Sequence, residues 1–152
     1  MKIVSRSTCL VAALLVVAAP GLRAAEVRSP DGRISVTVDV DKSGVPQYSM
    51  RYRGVEAMQP GNLGFRFQSQ PAFDAGFRIA GTSSASHDAT WEQPWGERRF
   101  VRDHYNELLV NLESASGAAR KFDLRVRVFD DGFGFRYEVP EQAGYADVNV
   151  TD

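Results

Sequence analysis

Between Trp91 and Glu107 the chain gathers the side chains best suited to chemistry: both of its tryptophans, three glutamates, three arginines, a histidine and two amides. Glu92 and Glu97 flank Pro94-Trp95-Gly96, a turn-forming stretch that would bring two carboxyls together. Left extended, the same residues would hold them ~16 Å apart. Two carboxyls roughly 5 to 9.5 Å apart are what cleavage of a glycosidic bond requires. Arg98, Arg99 and Arg102 count against that use, because a guanidinium beside a carboxylate keeps it ionised, the wrong state for a general acid. No catalytic residue is assigned here.

Binding chemistry suits the run better. An indole can lie against the apolar C–H face of a pyranose while carboxylates and amides bind its hydroxyls. Aromatic and arginine side chains are equally favoured at the centre of protein interfaces. Trp91, Glu92, Gln93, Trp95, Glu97, Arg102, His104, Asn106 and Glu107 are therefore candidate contacts to a carbohydrate or to a neighbouring domain. Internal packing of the tryptophans is the remaining alternative. No metal site is expected. Asp130-Asp131-Gly132 reads as a turn, Asp39 and Asp41 as the wet face of a strand, and His87-Asp88 as loop polarity with no second ligand at metal spacing.

The elements that must position these residues read as strands. Ile34, Val36, Val38 and Val40 alternate with polar residues, the period of a strand with one buried face. Asp41-Lys42-Ser43-Gly44 turns the chain into a second alternating run, Tyr48, Met50 and Tyr52. Further strands are expected at Leu63-Phe65-Phe67, at Phe77-Ile79, and at Leu108-Val110-Leu112 paired with Phe122-Leu124-Val126-Val128 through the turn 114–120. Asp130-Asp131-Gly132 is a hairpin signal delivering Phe133, Phe135, Tyr137 and Val139 to one face, and Pro140 ends that strand. Tyr145, Val148 and Val150 suggest the start of another. Short strands punctuated by Gly and Pro indicate an all-β antiparallel sandwich or barrel, with Phe65, Phe67, Phe122, Phe133, Phe135, Tyr48 and Tyr52 mostly in its core.

From Arg98 onward the even positions run Arg98, Phe100, Arg102, His104, Asn106, Leu108, Val110 and Leu112, polar first and apolar last. Sixteen extended residues would span roughly 50 Å, longer than an ordinary strand. Either a bulge or crossover near Tyr105 resets the face, or a polar column projects beyond the core.

Lys2 and Arg6 precede the apolar run from Cys9 to Ala19, which is followed by Pro20-Gly21 and Leu22-Arg23-Ala24-Ala25. This pattern predicts a signal peptide over residues 1–24 and an exported domain over 25–152, in the periplasm or outside the cell. The apolar run is too short to span a bilayer. Loss of Lys2, Arg6 and Arg23 leaves an acidic chain with no basic tract for a nucleic-acid partner. Cys9 is the only cysteine, so the exported part has no disulfide and no thiolate ligand. Its stability must come from a core, which a single domain of this length can build.

Four stretches together resemble one family: Ser29-Pro30-Asp31-Gly32, the run from Trp91 to Arg98, Asn106-Glu107-Leu108, and the run from Arg127 to Tyr137. They are similar to the N-terminal domain of glycoside hydrolase family 97, exported bacterial α-glucosidases and α-galactosidases. The resemblance implies a β-sandwich of the galactose-mutarotase-like (super-sandwich) kind, here incomplete, followed in the family by a catalytic (β/α)8 barrel and a small β domain. It also implies that the catalytic carboxylates belong to the barrel. The family's calcium ion is held mostly by barrel residues, and its N-terminal ligand falls on no matching motif here, so no cofactor is expected in this chain. The implied function is a non-catalytic domain that supports carbohydrate binding and packs against a barrel. A free-standing periplasmic carbohydrate-binding module is the alternative. A sandwich that stops partway also leaves an unpaired edge, which predicts self-association.

Overall fold

A computed structural model describes residues 24–117, 119–146 and 148–151; apart from Ala24, the expected leader lies outside them. Eight strands follow in order: β1 (Ala24–Arg28), β2 (Ile34–Val40), β3 (Pro46–Tyr52), β4 (Val55–Asn62), β5 (Phe77–Glu92), β6 (Phe100–Ser114), β7 (Lys121–Val128) and β8 (Phe133–Glu138). They form two four-stranded antiparallel sheets, β1-β2-β3-β4 and β5-β6-β7-β8, each a simple meander. Their inner faces meet in one core, so the fold is the expected all-β sandwich. No helix among the described residues is long and apolar enough to cross a membrane.

Strict alternation places the core. Ile34, Val36 and Val38 of β2 face Leu108, Val110 and Leu112 of β6 and the inner row Phe122, Leu124, Val126 and Val128 of β7. Each such side chain stabilises the fold by about 1.5–3 kcal/mol when fully buried. One end is plugged by aromatics, with Phe73 stacked on Phe122 at 5.5 Å and edge-on to Phe77 at 5.6 Å. The β2–β3 turn ties the sheets together there: Phe77 donates its backbone N–H to the carbonyl of Gly44 at 2.9 Å. Gly44 has φ 76°, and a Cβ on it would sit 2.7 Å from the Gly76 Cα.

Several expectations are corrected. Leu63-Phe65-Phe67 is not a strand. The segment crosses the plugged end as a loop, with Leu63 buried, the Phe73 N–H bonded to the Phe65 carbonyl, and Phe67 forming an isolated bridge with Val150. That bridge replaces the strand anticipated around Tyr145, Val148 and Val150. β5 is 16 residues long rather than a short Phe77-Ile79 strand, and His87 and Asp88 lie within it, not in a loop. No bulge occurs near Tyr105. β6 runs unbroken against β5 from Phe100 to Ser114, and the irregularity falls instead between Ile79 and Gly81. Of the aromatics assigned to the core, Phe67 and Phe122 are buried, whereas Tyr52 and Phe135 are exposed.

Candidate functional site

β7 pairs with β6 only from Asn106 to Glu113, whereas β5 accompanies β6 as far as Phe100. Residues 87–92 and 100–105 therefore leave the sandwich as a two-stranded arm, ~20 Å long at the usual rise, capped by the loop 93–99. The polar column seen in the sequence is this arm. It exposes Trp91, Trp95 and Phe100 at 50%, 80% and 59%.

Antiparallel register decides which candidates share a face, because partners across the ladder point the same way. Trp91 with Val101, Ala89 with Asp103, His87 with Tyr105 and Ala85 with Glu107 form the outer face. Glu92 with Phe100, Thr90 with Arg102, Asp88 with His104 and Ser86 with Asn106 form the inner face, continuous with the core row that begins at Leu108. The candidates thus divide. Glu92, Arg102, His104 and Asn106 lie on the inner face, Trp91 and Glu107 on the outer face, and Gln93, Trp95 and Glu97 in the tip loop.

The tip has a defined shape. Gln93 donates its backbone N–H to the Arg99 carbonyl at 2.8 Å and folds its side-chain amide onto the Trp95 carbonyl. Gly96 beneath it has φ 128°, a conformation that strains any residue with a Cβ. Glu92 accepts from Arg99 Nε at 2.8 Å, one of the arginines expected to neutralise it. Arg102 instead forms a two-pronged pair with Asp88 at 2.7 Å for both bonds, and this hydrogen-bonded guanidinium holds the Asp88 carboxyl below the usual carboxylate range. The inner face is a charged, hydroxyl- and imidazole-bearing ladder, while the outer face at Trp91 is flanked by Ala89 and Val101.

At the root of the arm the separate sequence motifs come together. Asn106 donates to the Arg28 carbonyl at 2.8 Å and accepts from the Ser86 hydroxyl at 2.7 Å, fastening the arm to the end of β1. Next to it the turn after β1 is closed by Ser29 and Asp31; the Ser29 hydroxyl, then the Arg33 N–H, hold the Asp31 carboxyl at about 2. The Asp31 N–H donates to Asp130 in the β7–β8 turn at 2.9 Å. On the outer face Tyr105, 7% exposed, lies under a stack: His87 at 4.9 Å, Phe129 at 5.2 Å and the Arg127 guanidinium at 4.5 Å. Arg127 Nε also reaches Glu107 at 2.8 Å, and Arg125 bridges Glu107 to Glu138. Burial opposes ionisation of Glu107, but hydrogen bonds from Arg127 and Arg125 outweigh it and its carboxyl titrates below the usual range. Arg125 likewise holds Glu138 at about 2. Sequence reasoning passed over Phe100, Tyr105, Asp88 and this arginine row, whose roles depend on where β7 stops pairing.

A family model described as the glycosyl-hydrolase 97 N-terminal domain matches residues 27–152. The chain belongs to glycoside hydrolase family 97. A solved family 97 enzyme from Pseudoalteromonas sp. strain K8 in complex with acarbose superposes with a TM-score of 0.80 at 36% identity, over 84% of this chain and 19% of that one. The same enzyme as a variant in complex with panose gives 0.79 at 36% identity, over the same shares of the two chains. A structure described as a beta-arabinopyranosidase gives 0.74 at 29% identity, over 83% of this chain and 20% of that one. The chain thus spans about a fifth of the length of these structures. No group of three or more His, Cys, Asp or Glu side chains able to hold a metal gathers among the described residues. Glu107 and Glu138 are both paired with arginines.

Proposed function

We propose that this family 97 domain is non-catalytic and that its β5–β6 arm is the surface through which it packs on a catalytic domain and supports carbohydrate binding there. The observation carrying this reading is the exposure of Trp91, Trp95 and Phe100 on a projection whose root is fixed by Asn106 and the Tyr105 stack. Large aromatics held out on a preformed support bind without a large ordering cost. Two carboxylates of the arm are engaged by guanidiniums, Glu92 by Arg99 and Asp88 by Arg102, an arrangement that suits hydroxyl recognition. Glu107 belongs to the framework under the arm. The relatives solved with acarbose and panose make glycans of that kind the ligands to try first. The charged start and apolar run before Ala24 support export of the domain before it does this work.

The test is co-purification of this chain with the separately expressed remainder of the Pseudoalteromonas enzyme, followed by panose titration of the complex. Trp91→Ala and Trp95→Ala should weaken assembly or glycan affinity while leaving the fold intact. Wild-type behaviour of both variants in both measurements would rule out the arm as the contact surface. Turnover of panose by this chain alone would overturn the non-catalytic assignment.

A further inference from the structure

We propose that the two faces of the arm divide its work: the inner face binds an uncharged oligosaccharide, and the outer face packs against protein. This rests on the reading of the arm as a contact surface and goes beyond it by giving each face its own partner. On the inner face Arg102 grips Asp88 diagonally across the ladder through Nε and Nη2. Arg102 Nη1 and further lone pairs on both Asp88 oxygens stay available to a ligand. Both side chains are more than half exposed. Phe100 stands one rung nearer the tip. The Arg99 guanidinium, held by Glu92 at 2.8 Å, lies over one side of the Phe100 ring at 5.3 Å, and the ring is still mostly exposed. A ring steadied from one side is a platform for the C–H face of a pyranose on the other.

The imidazole of His104, opposite Asp88, continues the strip toward the root. From Phe100 to His104 it is ~13 Å long, room for more than one sugar ring. Its two carboxylates and two guanidiniums cancel, so it offers donors and acceptors with no net charge from these pairs. An uncharged polyhydroxyl ligand matches that balance. A nucleic acid or an acidic glycan would need an excess of positive charge that these pairs do not supply. Because the pairs already fix their side chains, binding to them also avoids much of the ordering cost that free arginines would incur. The outer face has the opposite character. Trp91, opposite Val101 and two residues from Ala89, forms an apolar patch, and the first charge along that face is Asp103, opposite Ala89. The centres of protein interfaces are rich in aromatics and depleted of charge, so this face suits a protein and the charged strip does not.

The test uses the complex of this chain with the separately expressed remainder of the Pseudoalteromonas variant solved with panose. Sedimentation velocity reads assembly, and calorimetry reads panose binding to the assembled complex. Phe100→Ala should lower panose affinity about tenfold and leave assembly unchanged. Arg102→Lys, which keeps the charge but not the two-pronged bond, should lower panose affinity about threefold, again without touching assembly. Trp91→Ala should weaken assembly about tenfold and leave the panose affinity of the assembled complex unchanged. All three side chains are at least half exposed, so the variants should melt with the wild type. Loss of assembly in Phe100→Ala, loss of panose affinity in Trp91→Ala, or silence of one of these variants where the other acts would overturn the division of faces. If both are silent in both measurements, and Trp95→Ala with them, the arm is no contact surface and the division falls with it.

Discussion

Replacing Glu107 by alanine separates a framework role from a ligand role. The Glu107 side chain is 12% exposed and accepts from Arg125 and from Arg127, whose Nε lies 2.8 Å away. Its removal leaves the Arg127 guanidinium over Tyr105 and the neighbouring Arg125 guanidinium without the carboxylate that both bond. A fully buried pair broken in this way costs about 3–5 kcal/mol and a surface pair about 0–1 kcal/mol. With Arg125 23% exposed and Arg127 41% exposed, about 1 kcal/mol per contact is a fair value after solvent screening, or about 2 kcal/mol together. For a domain of this size that lowers Tm by roughly 8 °C. Glu107→Gln, which keeps the volume and one acceptor but not the charge, should lose about half as much. Trp95→Ala, at a side chain 80% exposed, should change stability by no more than about 0.5 kcal/mol. Thermal melts followed by circular dichroism, with urea midpoints at constant m-value, measure all three. If Glu107→Ala melts with the wild type, or Trp95→Ala falls as far as Glu107→Ala is expected to, the division into framework and contact surface is wrong.

Acid should weaken the fold in a defined window. Glu107, Glu138, Asp31 and Asp88 all titrate lower in the folded protein than unfolded, so their contribution is complete above the unfolded values and lost as pH falls toward about 2. The urea midpoint should drop between about pH 4.5 and 2, less steeply in Glu138→Gln; a flat profile would contradict this. Gly44→Ala should cost about 2 kcal/mol or more in a urea melt, because it combines φ 76° with a Cβ forced against the Gly76 backbone. Phe73→Ala should cost about 3–5 kcal/mol in the same measurement, since Phe73 is fully buried among Phe122, Phe77 and Phe67.

The strands that could be read from sequence are those with one dry face. β2 and β7 alternate cleanly because Val36, Val38, Leu124 and Val126 are buried while their neighbours are not. β4 and the outer half of β5 were illegible because both of their faces are exposed. With no burial to select side chains, Ser84, Ala85, Ser86 and Ala89 carry no period. Leu63-Phe65-Phe67 gave the opposite error: it alternates, yet its apolar residues plug one end of the sandwich and form no strand of their own. For the candidate site, residue types alone marked the run from Trp91 to Glu107. Its division between two faces and a tip is set by pairing with β5, and a strand's own sequence does not state its partner's register.

The arm is held at one end only, and that makes it a lever. Its fulcrum is the bond from Asn106 to the Arg28 carbonyl, and its working end is Trp95, ~20 Å away. A tilt of about 5° at the root therefore sweeps the tip through nearly ~2 Å, enough to make or break a stacking contact. Mechanical load travels the other way as well. Whatever grips the indole at the tip pulls on β1 and on the turn where Asp31 meets Asp130, so engagement at the tip should slow amide exchange around residues 28–34 and 129–133, far from any surface the ligand touches.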